Sequence, residues 1–138
     1  MIKIYSKVDP TKLLHIVNKS TDINGRVDII ADDQFLQLSV LNYSPDHSFR
    51  SHHHIWKDVD YSKTIAQESW VVIKGSVNVT FYDTDNSVIC SEIIGPGDCS
   101  VTLEGGHGYE ILEKDTVIYE YKTGPYQGQL LDKRFINQ

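Results

Sequence analysis

The sequence predicts a single all-β domain, and three features of the chain indicate it. Short runs rich in β-branched and aromatic residues recur along most of the sequence. Gly, Pro, Asp and Asn residues that are typical of turns separate those runs. The length of 138 residues fits one domain with a substantial core. We therefore expect one domain over residues 1–138, with its strands arranged as a sandwich or a barrel.

The clearest strand pattern runs from Glu68 to Tyr82, and Gly75 divides it into two strands. Thr11–Val17 is either a strand or a short helical turn. The long connection from Trp56 to Gln67 lacks a strand pattern, and a loop of that length beside a histidine cluster is more often functional than filler. The other predicted strands are Ile2–Tyr5, Gly25–Ala31, Phe35–Tyr43, Phe49–Ile55, Ser87–Ile94, Cys99–Leu103, His107–Leu112 and Thr116–Lys122.

Composition and charge exclude several classes of protein. The net charge is −6 and the basic residues form no cluster, so a nucleic-acid surface is not expected. No apolar stretch approaches the ~20 residues that a membrane span needs, and the N-terminal sequence lacks the apolar core of a signal peptide. Cys90 and Cys99 show no metal or redox spacing. We expect two buried free thiols in a reducing cytoplasm, and a disulfide between them is the alternative.

Three consecutive histidines, His52, His53 and His54, indicate a metal site. Side chains alternate between the two faces of a strand, so His52 and His54 share one face with Arg50. Two imidazoles spaced in this way can reach one ion. His53 faces the other side, and it replaces one of its neighbours as ligand only if the strand contains a bulge.

Glu68 and His107 are the candidates for the remaining ligands. Glu68 begins an apolar strand, where a buried carboxylate needs a partner. His107 lies between glycines, which permit close backbone packing. Imidazole and carboxylate ligands suit a divalent Zn, Fe, Mn, Ni or Co ion, and these ligand types do not identify which metal binds. The alternative is a solvated histidine-rich edge with an exposed glutamate.

With these residues the chain resembles a cupin. The family's first motif, G-x5-H-x-H-x3-4-E-x6-G, is matched by His52-x-His54 and by Glu68-x6-Gly75. Its second motif, G-x5-P-x-G-x2-H-x3-N, is matched in part from Gly97 to His107. The resemblance covers residues 35–122 and implies a double-stranded β-helix (jelly-roll) barrel. It also implies a metal held by His52, His54, Glu68 and His107 in the barrel mouth.

The sequence departs from the cupin motifs at three points. Thirteen residues separate His54 from Glu68, where the family has three or four. Leu103 replaces the proline of the second motif. His107 comes one residue early, and Ile111 stands where the family has asparagine. The insertion places a loop over the expected barrel mouth, where Trp56 and Tyr61 suit either sugar stacking or a dimer contact.

Other side chains on the predicted inner faces are candidates for ligand contact. Arg50 either clamps a carboxylate or phosphate or forms a salt bridge at the rim. Tyr109 shares the face of His107 and is a candidate general acid, with packing as the alternative. Trp70 shares the face of Glu68, where a core position is favoured over a pocket wall. His15 lies in an apolar run and is expected to be structural.

The expected function is that of a metal-dependent cupin acting on a small polar substrate. The ending Tyr119–Gly128 is similar to small single-domain cupins associated with bacterial surface-polysaccharide or nucleotide-sugar pathways. That likeness implies a setting in carbohydrate metabolism more than an activity. Together with the expected ligand set it favours a sugar isomerase or epimerase whose metal acts as a Lewis acid. The alternatives are a non-haem Fe(II) dioxygenase and a cupin that binds a ligand without turnover. Uncovered sheet edges favour a homodimer.

Overall fold

The computed structural model describes residues 1–45, 47–56, 64–125 and 128–136. Its strands are β1 (Ile2–Tyr5), β2 (Leu13–Asn18), β3 (Gly25–Asp28), β4 (Ser39–Asn42), β5 (Glu68–Lys74), β6 (Val77–Tyr82), β7 (Val88–Ile94), β8 (Cys99–Thr102), β9 (Gly106–Ile111) and β10 (Val117–Lys122). A 3-10 turn at Ser20–Asp22 and a helix, α1 (Gln129–Asp132), are short. In the part of the chain that is described, no helix is long and apolar enough to cross a membrane.

The strands form three antiparallel sheets. The five-stranded sheet has the order β1-β2-β8-β5-β10, the three-stranded sheet the order β7-β6-β9, and the two-stranded sheet pairs β3 with β4. The predicted all-β class is therefore confirmed. Across the described ranges the sheets remain separate and no closed barrel forms. Strands β1 and β10 are the outer strands of the five-stranded sheet, and the predicted homodimer stays a prediction.

The main core lies between the five-stranded and three-stranded sheets. Val17 of β2 and Val72 of β5 pack against Val79 and Phe81 of β6, and all four are fully buried. Because side chains alternate along a strand, the opposite face of the five-stranded sheet presents a second apolar set. On that face Ile16 of β2 and Val101 of β8 pack with side chains that follow strands β3 and β8 and with side chains of the two-stranded sheet: Ile29, Ile30, Leu103, Val27 and Val40. Each such buried side chain contributes about 1.5–3 kcal/mol.

The strand predictions are confirmed for most of the chain and wrong at one important place. Thr11–Val17, left open between strand and turn, contains most of strand β2. Of the predicted strand Phe35–Tyr43, only Ser39–Asn42 forms a strand, β4. The predicted strand Phe49–Ile55 does not form, and residues 47–56 lie outside any strand. Phe49 and Ile55 are largely exposed, so this segment lacks the packed apolar face that stabilises a strand.

Both thiols are free, as the sequence predicts. Cys99 is buried in β8, whereas Cys90 in β7 is only half-buried. Burial raises the pKa of the Cys99 thiol to about 11. The thiolate is the reactive form of cysteine, so Cys99 is suited to packing and not to nucleophilic chemistry.

Gly75 gives a direct test of the turn between β5 and β6. Its φ is +80°, and an added Cβ would lie 2.9 Å from the Cα of Thr116. We expect Gly75→Ala to lower the free energy of unfolding by about 3 kcal/mol, because backbone strain and overlap add. Gly95→Ala is the matched control, since no heavy atom lies within 4 Å of its added Cβ. Urea denaturation measures both, and equal stabilities for the two variants would contradict this account.

Candidate functional site

A cleft of about 870 Å³ opens beside the main core. Strand β5 contributes Glu68 and Trp70 to its wall, β9 contributes His107 and Tyr109, and β10 contributes Glu120. The C-terminal segment 131–136 forms another part of the wall. Small-molecule sites typically enclose roughly 300–1,000 Å³, so the cleft is large enough for a sugar-sized ligand.

Glu68 and His107 form a close pair at this cleft. The Nε2 atom of His107 lies 3.1 Å from Oε1 of Glu68, although the two residues belong to different sheets. Only 7% of Glu68 is exposed. Burial raises the pKa of Glu68, but the hydrogen bond and charge of His107, together with Lys133 and the Trp70 N–H, outweigh burial and lower it overall. Glu68 is therefore held as a carboxylate.

The pairing fixes which nitrogen of His107 is basic. A carboxylate only accepts hydrogen bonds, so in the neutral ring Nε2 holds the proton and Nδ1 is the free acceptor. Nδ1 is buried and has no hydrogen-bond partner among the described residues. An unpartnered buried polar atom costs about 1–3 kcal/mol. The free protein therefore keeps an unsatisfied imidazole nitrogen beside the cleft.

The Trp70 side chain forms hydrogen bonds to two carboxylates of the cleft wall. Its indole N–H donates to Oε1 of Glu68 at 2.9 Å and to Oε2 of Glu120 at 3.2 Å. Its ring stacks on that of Tyr109, with centroids 3.7 Å apart and planes 1° from parallel. Trp70 is only half-buried, so the favoured expectation of a core position is wrong. The register of β10 on β5, which sets Glu120 opposite Trp70, explains the contact.

Tyr109 lies in the cleft wall and also packs against the main core, the alternative that the sequence left open. Its hydroxyl lies 3.1 Å from the Oγ of Ser100. Burial raises the pKa of Tyr109 well above its ordinary value, and this outweighs the lowering by the Ser100 contact. The phenol therefore stays protonated at neutral pH. It is suited to donating a hydrogen bond and to holding the Trp70 ring in place.

His15 supports the turn that presents His107. The His15 side chain is fully buried in β2. Its Nε2 lies 3.0 Å from the carbonyl oxygen of Tyr82, and its Nδ1 lies 3.1 Å from Oγ1 of Thr102. A Cβ added to Gly105 would lie 3.2 Å from Nε2 of His15. The expected structural role of His15 is confirmed, with Nε2–H donating to the carbonyl and Nδ1 accepting from the threonine.

The C-terminal segment closes the cleft from the side of β10. Lys122 and Asp132 form an ion pair at 2.9 Å, which attaches helix α1 to the sheet. A Cβ added to Gly106 would lie 2.5 Å from Cδ1 of Ile136, so the segment approaches the start of β9 closely. This packing could not be predicted, because residues 128–136 show neither strand nor helix periodicity.

The four predicted metal ligands fall into two groups. Glu68 and His107 are in contact. His52 and His54 are exposed on the segment 47–56, with their rings 5.1 Å apart. The described ranges contain no group of three or more His, Cys, Asp or Glu side chains that could hold a metal. As they lie here, the four residues do not fit one metal centre, and the metal stays a prediction.

The remaining candidates of the histidine segment also lie away from the cleft wall. Arg50 is exposed, and its carbonyl oxygen accepts a hydrogen bond from Nδ1 of His52 at 3.0 Å. His53 is exposed as well. Trp56 is fully exposed, and Tyr61 lies outside the described residues.

No protein-family model, curated protein or solved structure matches this chain.

The burial of His15 predicts how stability depends on pH. Burial lowers the pKa of His15 to about 4 from its ordinary 6.5. Between those values the unfolded chain binds a proton that the folded protein does not, so stability falls as the pH falls from 6.5 towards 4. We expect this residue alone to remove about 2 kcal/mol between pH 7 and pH 5.

Urea denaturation at both pH values measures that loss in the parent protein and in His15→Gln. The glutamine amide can still donate to the Tyr82 carbonyl but does not titrate, so the variant should lose less stability on acidification. His53→Gln, at an exposed position, is the control. An NMR titration of the His15 ring in the parent protein gives a second measure. A ring that protonates near its ordinary pKa would contradict the prediction.

Proposed function

We propose that this chain is a cupin-type enzyme that isomerises or epimerises a sugar or sugar derivative. The observation that carries the proposal is the Glu68–His107 pair in the wall of the cleft. These two residues come from the two sequence motifs that resemble the cupin family. The packing of a five-stranded on a three-stranded antiparallel sheet is compatible with a jelly roll.

The surroundings of the pair suit a ligand rich in hydroxyl groups. Trp70 and Tyr109 offer stacked aromatic surface, against which the C–H face of a sugar can pack. The carboxylates of Glu68 and Glu120 can accept hydrogen bonds from hydroxyls. An apolar wall with a few convergent polar groups is typical of small-molecule sites.

The pair is suited to moving one proton. Glu68 accepts Nε2–H of His107 and so fixes the imidazole with Nδ1 as its basic atom, as carboxylates do for catalytic histidines. In the proposed isomerisation Nδ1 removes the proton from the hydroxyl-bearing carbon beside the ligand's carbonyl and returns it to the carbonyl carbon, while the hydroxyl proton passes to the carbonyl oxygen. In an epimerisation the same carbon instead regains a proton from water on its opposite face. No described residue bonds to Nδ1, so that nitrogen has no hydrogen bond of its own to give up. Because Nδ1 is buried, we expect the ring to shift when ligand binds.

The other predicted groups enter this proposal differently. Tyr109 lies beside His107, with the ring centroids 5.2 Å apart. Its protonated hydroxyl is a hydrogen-bond donor, and its ring supports the Glu68–His107 pair. Arg50 has no part in the proposed steps. The cupin resemblance also implies a metal, but His52 and His54 do not lie with Glu68 and His107. The proposed steps therefore use only side chains of the cleft.

Deuterium exchange tests the proposal. An enzyme that moves a proton through a side chain incorporates deuterium from D₂O at the reacting carbon. Aldoses, ketoses and nucleotide sugars should be incubated with the protein, with and without added Zn²⁺, Mn²⁺ or Fe²⁺, and analysed by NMR. We expect exchange in at least one of them, slowed about 100-fold or more by Glu68→Gln or His107→Phe.

Glu110→Gln is the matched control, because Glu110 is exposed on the same strand as His107. It should exchange deuterium at the parent rate. Exchange that survives in both cleft variants would contradict the assigned roles. Binding of a sugar without exchange would favour a cupin that binds its ligand without turnover.

A further inference from the structure

The proposed isomerisation needs two proton transfers, and the Glu68–His107 pair provides one of them. Nδ1 of His107 carries the proton of the C–H bond from one carbon to the next. The proton of the neighbouring hydroxyl must also reach the carbonyl oxygen, and this transfer needs a second proton acceptor beside the ligand. Carboxylates and neutral imidazoles are the side chains that accept protons near neutral pH. The carboxylates of the cleft wall are therefore the candidates.

Two carboxylates in the wall, Glu68 and Asp83, are buried and bonded. Oε1 of Glu68 accepts the N–H groups of His107 and Trp70. Asp83 accepts the Ser6 hydroxyl at 2.7 Å and several backbone N–H groups. Burial raises the pKa of both carboxyls, but these bonds and, for Glu68, nearby positive charge outweigh burial and lower the pKa overall. Both groups are therefore weak proton acceptors.

Two further carboxylates in the wall are paired with lysines. Both oxygens of Glu104 lie 3.1 Å from Nζ of Lys12. Asp132 pairs with Lys122 at 2.9 Å, and only 13% of the Asp132 side chain is exposed. An adjacent ammonium favours the charged form of a carboxylate, so neither group is suited to taking up a proton.

Glu120 is bonded through one oxygen only. Its Oε2 accepts the Trp70 N–H at 3.2 Å, and 43% of its side chain is exposed. Its Oε1 lies 4.0 Å from Nζ of Lys122, which is beyond hydrogen-bond distance, and that lysine is bonded to Asp132 instead. Among the described residues Oε1 has no hydrogen bond, so it can accept a proton from a ligand.

We propose that Glu120 is a second catalytic residue, which carries the hydroxyl proton of the ligand to the carbonyl oxygen. This role rests on the function proposed above and commits that function to isomerisation. The Trp70 N–H donates to both Glu68 and Glu120, so it holds the two carboxylates at one part of the wall. Glu68 orients His107 there, and Glu120 faces the oxygens of the ligand.

The two transfers balance over one reaction. Nδ1 of His107 takes the proton from the hydroxyl-bearing carbon, the electron pair of that C–H bond forms a carbon–carbon double bond, and the carbonyl electrons move onto oxygen. Oε1 of Glu120 then takes the remaining hydroxyl proton and passes it to that oxygen. His107 returns its proton to the former carbonyl carbon while the other oxygen forms the new carbonyl. Both side chains end in the state in which they began.

Deuterium exchange and product formation, measured together, test this role. The parent protein and Glu120→Gln are incubated in D₂O with glucose, mannose, fructose and their 6-phosphates, and with each sugar that exchanges in the assay above. NMR follows deuterium at the reacting carbon and the amount of isomer. The glutamine amide oxygen can still accept the Trp70 N–H, but the amide does not take up a proton near neutral pH. We expect exchange near the parent rate, because His107 is intact, and isomer formation about 100-fold slower.

Glu104→Gln is the matched control, because it removes the same charge from the same wall at a carboxylate that Lys12 already bonds. It should keep the parent ratio of exchange to isomer formation. An unchanged ratio in Glu120→Gln, or an equal rise of the ratio in the control, would overturn the role. A proportional loss of both rates in Glu120→Gln would also overturn it, since Glu120 would then only position Trp70.

These outcomes separate the role of Glu120 from the proposed function. Exchange and isomer formation by the parent, with an unchanged ratio in Glu120→Gln, would leave the function standing and remove the role. A parent protein that forms only an epimer would remove the role and keep the epimerase form of the function. No exchange by the parent on any probe would remove both.

Discussion

The packing of the five-stranded sheet on the three-stranded sheet is the interaction on which the candidate site depends. Strand β5 carries Glu68 in one sheet and β9 carries His107 in the other. The two side chains meet because the space between the sheets is filled nearby. Val72 of β5 packs there against Val79 and Phe81 of β6, the strand next to β9. A hydrogen bond between sheets is sensitive to small displacements, so the apolar core also sets the geometry of the pair.

Polar groups are concentrated at one end of this core. His15, Glu68 and Asp83 are all buried there, and each needs several hydrogen bonds to offset the loss of water. His15 and Asp83 are satisfied within the protein, the first by Tyr82 and Thr102 and the second by the N-terminal residues. His107 keeps an unbonded nitrogen. This difference separates supporting polar residues from the pair that can still engage a ligand.

The sequence was informative where a structural feature is local. The spacing from Glu68 to Gly75 identified β5 and its end, because a positive φ at Gly75 is a property of a few residues. Alternation along β5 also placed Glu68 and Trp70 on one face. It did not show whether Trp70 faces the core or the cleft, since that depends on strands β9 and β10.

Features that depend on distant partners were not predictable in the same way. Phe49–Ile55 has the composition of a strand but no sheet that accepts it, and the four-ligand metal prediction depended on that strand. The segment that holds Lys133 and Arg134 has no periodic pattern, so only its packing through Asp132 and Ile136 brings it to the cleft.

The central claim is that His107 holds Glu68 as a carboxylate in the cleft, and a carbon-13 NMR titration of the Glu68 side chain tests it most directly. In the parent protein the pKa of Glu68 should lie below the ordinary 4.5. In His107→Phe, which keeps a ring beside Tyr109 but removes both nitrogens, burial should raise that pKa relative to the parent protein. A Glu68 that titrates at the same pH in both proteins would contradict the account.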